Sequence, residues 1–330
     1  MVKIIVENIT HKTQRLLWVD WMKCLAIFLI IAGHCHVPGN KYIYVFSVPC
    51  FFIISGFLSK HESNVNIFWN KLFWNLIIPM FLWVFITMIY HTIGQFFSGK
   101  FVWSSLFLTP LRALCGFASE GLWRMWFVYT LVICKIILQF TSVKYERVVL
   151  PLLCLFFLIL CVWLRSIGYR EANAIVNVLL SLPFFVLGYF FKPYKQKLSE
   201  LTFRFLIFGG LTSVLIVFVC GQYNDIVMLY RCSFGNNIVF CMIGGIAGTI
   251  VVFAISKLLS YYFGDLGRVL GGGTLVVLAV HYDIMKIVSR FLEITGYWLY
   301  IESFIILLFC YPIILFVKNN LPILYGKNRV

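Results

Sequence analysis

Apolar runs of about twenty residues follow one another along the chain, the length a helix needs to cross the hydrocarbon core of a membrane. Ten such runs can be drawn, at 17–37, 42–58, 72–93, 123–140, 148–164, 174–191, 203–220, 237–256, 274–291 and 299–316. They are continuous rather than alternating, which argues against a β-barrel. Of the 330 residues, 62% are hydrophobic and only 12% charged, too apolar a balance for a surface that faces water on all sides. The expected fold is all-α: a polytopic membrane protein of about ten transmembrane helices in a single bundle. Residues 1–330 read as one integral-membrane domain whose solvent is the lipid bilayer.

The formal charge of +15 raises the question of nucleic acid. No nucleic-acid-binding motif is present, and the basic residues sit in short clusters between the apolar runs, where topology signals sit. With the N-terminus in the cytoplasm, the inner segments hold sixteen Lys and Arg, among them Lys3, Lys12, Lys327 and Arg329, and the outer segments hold eight. Lys23, Lys135 and Lys286 fall within spans. The two-to-one bias predicts cytoplasmic N- and C-termini. The N-terminus does not read as a cleavable signal, because Asp20 interrupts the charged region and no A-x-A site follows. The longest connection, 94–122, is itself partly apolar and has room for a re-entrant or interfacial helix over the outer mouth. The eleven cysteines are odd in number and include no C-x-x-C pair, so they read as small buried apolar residues, with neither a disulfide framework nor a metal site expected.

Chemistry concentrates in one stretch, Asp20 to His36, DWMKCLAIFLIIAGHCH. Lys23 and His34 are eleven residues apart, close to three helical turns, so both fall on one face, roughly 16 Å apart along the axis. Asp20 shares that face and is placed to pair with Lys23. Ionisable groups are costly at membrane depth, so a file of them needs a reason. A neutral imidazole can take a proton from a hydroxyl, which makes His34 the candidate general base. Gly33 beside it leaves room for a ligand or backbone to approach. His36, two residues on, is expected to point nearly the opposite way.

Four further stretches matter. Pro49 opens a span whose Ser55-Gly56 suits close helix packing. Lys71 at an inner mouth reads equally as a topology charge or a phosphate-binding group. Trp123 and Trp126 suit an interfacial belt around Arg124, which reads as a snorkelling outer charge or a contact to an anionic or sugar ligand. The triplet Gly271-Gly272-Gly273 reads as a break before a span, with His281 about two turns in. An isolated intramembrane histidine of this kind is more often a packing residue than a catalyst.

The chain resembles the acyltransferase family 3 membrane proteins. The pattern D-x-x-K-x10-H of Asp20, Lys23 and His34, then V-P-x-F-F-x-x-S-G-F from Val48 to Phe57, is similar to the start of that family. Trp126-Phe127, the run Leu182-Pro183-Phe184-Phe185 with Leu187-Gly188, and the stretch ending at His281 are similar to its later motifs, in order. Departures are Lys23 where arginine is frequent, Asn75 where a second basic residue is frequent, Thr274 for a serine, and no tyrosine three before His281. The resemblance implies a bacterial inner (plasma) membrane O-acyltransferase of about ten spans. It implies transfer of an acyl group, usually acetyl, from cytoplasmic acyl-CoA to a hydroxyl of a cell-surface or lipid-linked sugar or polysaccharide. Acetyl-CoA is then a co-substrate, with no tightly bound cofactor and no metal. His34 is the expected catalytic base, Lys23, Lys71 and Asp20 the expected donor-binding residues, and Ser55, Trp126, Arg124 and His281 the expected cavity residues. The competing expectation is a small-molecule or glycan-precursor transporter, which intramembrane His, Lys and Asp would also suit. The lack of internal repeats speaks against it.

Overall fold

The computed structural model describes residues 15–326, so the expectations on Lys3, Lys12, Lys327 and Arg329 lie outside the described residues. Eight helical segments among them are long and apolar enough to cross a membrane. They are α1 (Leu17–His34); α2 (Asn40–Tyr44) with α3 (Ser47–Leu58); and α4 (Val65–Leu72), which runs through a π-helical turn into α5 (Ile78–Phe97). After α6 (Ser105–Leu114) come α7 (Trp126–Phe140) and α8 (Glu146–Ser166). Then, past α9 (Val178–Phe191) and α10 (Lys195–Glu200), come α11 (Phe203–Tyr223) and α12 (Ile238–Phe263). The last spanning helix is α15 (Leu299–Asn320), reached through α13 (Gly267–Gly272) and α14 (Thr274–Phe291) and followed by α16 (Pro322–Tyr325). Two of the ten expected spans stand apart for physical reasons. The α9 helix has only 14 residues, most of them buried in the bundle. The α14 helix carries Asp283, Lys286 and Arg290 in its second half.

The apolar surface divides as a bilayer requires. Phe52, Phe184, Ile27 and Ile31 fill the interior, while large side chains such as Phe85, Leu152 and Phe208 are exposed along the outer faces of α5, α8 and α11, where lipid replaces water. The connection 94–122 contains the short helix α6, as its partial apolarity suggested, followed by a π-helical turn at Ala118–Leu122.

Two close approaches set the position of α1 and α3. A Cβ on Gly56 would lie 1.8 Å from the Phe185 carbonyl oxygen of α9, and one on Gly188 would lie 1.9 Å from the Ile53 carbonyl oxygen of α3. The two backbones therefore touch, the arrangement by which helices associate in lipid without a hydrophobic driving force. At the other contact, a Cβ on Gly271 would lie 2.2 Å from the Asp20 carbonyl oxygen, so α13 rests against the first turn of α1. The glycine triplet thus does two things: it breaks the chain between α13 and α14 and lets α13 dock.

The Gly56 contact generates a prediction. Gly56→Ala forces a methyl into a backbone oxygen and should destabilise the bundle by about 1–3 kcal/mol. The check is a lowered melting temperature in detergent, and an unchanged one would mean that α3 and α9 are not in backbone contact.

Candidate active site

A cavity of about 550 Å³ lies at the His34 end of α1, walled by α5, α7, α14 and the connection between α11 and α12. Its polar lining includes His34, His36, His91, Arg124, Tyr230 and His281. Trp126 and Phe127 supply an aromatic wall, extended by the Trp126–Tyr230 ring pair at 6.3 Å. The α1 helix stops at His34 rather than at the expected residue 37. His36 then takes a left-handed backbone with φ of 55°. It lines the same cavity, where an unbroken helix would have turned it away. Gly33 admits a ring rather than a ligand: Tyr44 packs on it and donates its hydroxyl to the Gly33 carbonyl at 3.0 Å.

His34 and His281 stack, their ring centroids 5.3 Å apart at 29°. His281 is buried, and its Nδ1 meets the Val277 carbonyl oxygen one turn earlier at 2.8 Å. A carbonyl only accepts, so in the neutral ring Nδ1 carries the proton and Nε2 is left as an acceptor. That Nε2 is buried and without a hydrogen-bond partner. The His34 ring likewise meets no hydrogen-bond partner among the described residues.

Arg124 is not the snorkelling outer charge the sequence suggested. Its guanidinium is forked onto Asp283, Nη1 to Oδ2 at 2.6 Å and Nη2 to Oδ1 at 2.8 Å, and Nη1 also donates to the Ala279 carbonyl. The reason lies in the backbone before it. Trp123 has φ of 46°, a region disfavoured for residues with a side chain, and follows the π-helical turn. Its ring stacks on His91 at 5.2 Å and 8°. This irregular turn sends Arg124 inward to α14, where its partners Ala279 and Asp283 each lie two residues from His281.

The opposite end of α1 gathers cations. Lys135 donates from Nζ to Ser59 Oγ at 2.8 Å, and Lys192 donates to the Ser59 carbonyl at 2.7 Å. Lys71 and Lys60 flank Glu62 at 2.9 and 3.5 Å. Burial pushes the Glu62 carboxyl up, but these two lysines outweigh it and hold it below the usual carboxylate range. Lys23 is half-buried here, and its charge acts on Lys135. Where the sequence suggested that Asp20 would fix Lys23, both its oxygens accept from the guanidinium of Arg15, two residues before α1, at 2.6 and 2.9 Å. Ser55 lies about two turns along α3 from the cavity-lining Val48 and does not line the cavity; its carbonyl accepts from Ser59 Oγ at 2.7 Å.

The structure therefore brings His34, His281, Arg124 and Trp126 to one cavity and Lys23 and Lys71 to one basic corner. Asp20 and Ser55 join neither set. On the face of α1 between the two sites stand Ile27, fully buried, and Ile30, which forms the cavity floor. A second cavity of about 570 Å³ shares His34, His36 and Tyr282 and is walled by Glu293 and Glu302. Glu302 is buried and accepts from Ser289 Oγ at 2.6 Å. Sequence reasoning passed over His91, Lys135 and Glu302 as site residues. The signal was available for all three, since each is an ionisable residue inside an expected span.

Residues 16–318 match a family model described as an acyltransferase domain. No curated protein and no solved structure matches the chain.

The Arg124–Asp283 fork generates a prediction of its own. Arg124→Ala and Asp283→Asn should each lower the melting temperature, and the double variant should lose less than the sum, with a coupling of about 1–3 kcal/mol. Strict additivity in that cycle would contradict a direct pairing.

Proposed function

The chain belongs to this acyltransferase family, and from that premise we propose that it carries an acyl group, most simply acetyl, from acyl-CoA at one membrane face to a sugar hydroxyl at the other. The acceptor is a cell-surface or lipid-linked sugar. In this reading the lysine-bearing end of the bundle is cytoplasmic, both termini lie on that side, and the membrane is the bacterial inner membrane. The bias of Lys and Arg toward those segments supports the orientation.

One observation carries the reading. A single helix, α1, bears an imidazole without a hydrogen-bond partner among the described residues in a cavity at one end and joins a corner of lysines at the other. Lys23, Lys71, Lys135 and Lys192 suit the phosphates of CoA, which need several cations and no fixed geometry. The acyl-bearing arm then runs along α1, past Ile27 and Ile30, to the cavity. The aromatic wall at Trp126 suits the apolar face of a sugar ring, and Glu302 suits its hydroxyls, reached through the second cavity.

His34 takes the proton of the acceptor hydroxyl as its oxygen attacks the thioester carbonyl. The carbon–sulfur bond breaks, and the departing thiolate recovers that proton from the imidazolium. His281 stacks against His34 and keeps a bare acceptor nitrogen nearby. Arg124, by gripping α14 at Ala279 and Asp283, holds His281 in register and acts as a positioning residue.

His34→Ala, reconstituted in nanodiscs with labelled acetyl-CoA and a sugar acceptor, should lose about 10²–10⁴-fold in turnover. Its acetyl-CoA affinity should hold, because the donor phosphates bind elsewhere. Turnover at the wild-type rate would remove the proposed base. Mass spectrometry of surface glycans from a deletion strain, searched for a missing acyl group, identifies the acceptor.

A further inference from the structure

We propose that Cys161 and Cys232 are joined by a disulfide that ties one wall of the cavity to α8. The two sulfurs are 3.2 Å apart and both residues are buried. They come from elements 71 residues apart in sequence. Cys161 is in the last turns of α8, and Cys232 follows the 3-10 turn Leu229–Arg231 in the connection between α11 and α12.

The backbone at Cys232 supports a dedicated contact. Its φ is 49°, a left-handed conformation that favours glycine, yet a side chain is present and is aimed at Cys161. Asn177, fully buried, fixes the turn from both sides. Its Nδ2 donates to the Tyr230 carbonyl at 2.9 Å, and its Oδ1 accepts from Cys232 N at 3.0 Å. Across the turn, Met228 and Ser233 exchange backbone hydrogen bonds at 2.9 and 3.1 Å. The same turn presents Leu229 and Tyr230 to the cavity. A covalent bond at Cys232 would therefore hold this wall against the opening that substrate exchange demands.

The inference rests on the orientation proposed above, which puts this end of α8 outside the cytoplasm, where thiols are not kept reduced. The oxidant is a disulfide-bearing protein of that compartment. One thiolate attacks its disulfide, the second attacks the resulting mixed disulfide, the new sulfur–sulfur bond forms, and both thiol protons end on the donor's two thiols. The reaction occurs as the 224–237 connection settles onto α8, before the pair is buried.

The test is peptide mapping of the full-length protein purified without reductant, denatured and alkylated. The expected result is a linked peptide pair containing Cys161 and Cys232, with nine of the eleven cysteines alkylated and all eleven after reduction. Reductant should also lower the melting temperature of the wild type by several degrees and leave a Cys161→Ser/Cys232→Ser variant unmoved. Alkylation of both thiols without reduction overturns the proposal. In a separate Glu171→Cys variant, whose new thiol is exposed beside the same end of α8, an impermeant maleimide on intact cells reports the orientation. Free Cys161 and Cys232 with Glu171→Cys labelled from outside overturn the disulfide alone. Free thiols with labelling only in inverted vesicles overturn the orientation as well.

Discussion

A charged or unpaired polar group inside a bilayer has no water to answer it, and that one constraint arranges most of this molecule. A charge at the centre of a spanning helix costs about 2.5–3.5 kcal/mol on insertion scales. The chain meets this by giving intramembrane charges partners from other elements: Arg124 takes Asp283 and the Ala279 carbonyl, Lys135 takes Ser59, and Glu302 takes Ser289. Among the described residues three buried side-chain polar atoms have no hydrogen-bond partner: Ser181 Oγ, Ser256 Oγ and His281 Nε2. Of the three, His281 Nε2 belongs to a residue that lines the cavity, where it stacks on the half-buried His34 ring, itself without a hydrogen-bond partner among the described residues. An unmet buried polar group costs about 1–3 kcal/mol, and at His281 it stands where a ligand entering the cavity would supply the missing partner.

The packing explains how one helix comes to serve two places. The start of α1 is held by the backbone contact at Gly271 and by the Arg15–Asp20 fork. Beside α1, α3 is locked onto α9 through Gly56 and Gly188. With its first turn fixed, the spacing of Lys23 and His34 becomes a fixed distance through the bundle, roughly 16 Å. The aliphatic Ile27 and Ile30 stand between them on the same face of α1.

Much of this was legible in the sequence, and the failures have physical causes. The spans were legible because twenty apolar residues in a row have few alternatives in water. Their limits were less so. The fold starts α9 at Val178 rather than 174 because Asn173 and Asn177 use their side chains on turn backbones, Asn173 accepting from Ile175 N and Asn177 holding the 230–232 turn. The packing role of Gly56 was correctly read. His34 and His281 were each visible as intramembrane histidines, but no periodicity reveals that helices 240 residues apart will stack them. Arg124 was expected at the cavity and lines it, but its pairing with Asp283 rather than a snorkelling position was not legible, because the positive φ at Trp123 that precedes it leaves no mark in the sequence. Asp20 pairs with Arg15, which lies outside the apolar run and so was not weighed as its partner. The contact between Cys161 and Cys232 was invisible for the same reason as the histidine stack: tertiary neighbours leave no local pattern.

The central claim is that α1 joins a donor site among lysines to a base in an outer cavity, by one path through the membrane. A structure of the protein with a non-hydrolysable acetyl-CoA analogue addresses it most directly. The account predicts the diphosphate among Lys23, Lys71, Lys135 and Lys192, Ile27 displaced from the path, and the acyl carbon inside the His34 cavity, where an attacking oxygen would stand about 3–3.5 Å from it. An analogue bound with its acyl end outside that cavity, and α1 still sealed at Ile27, would contradict it.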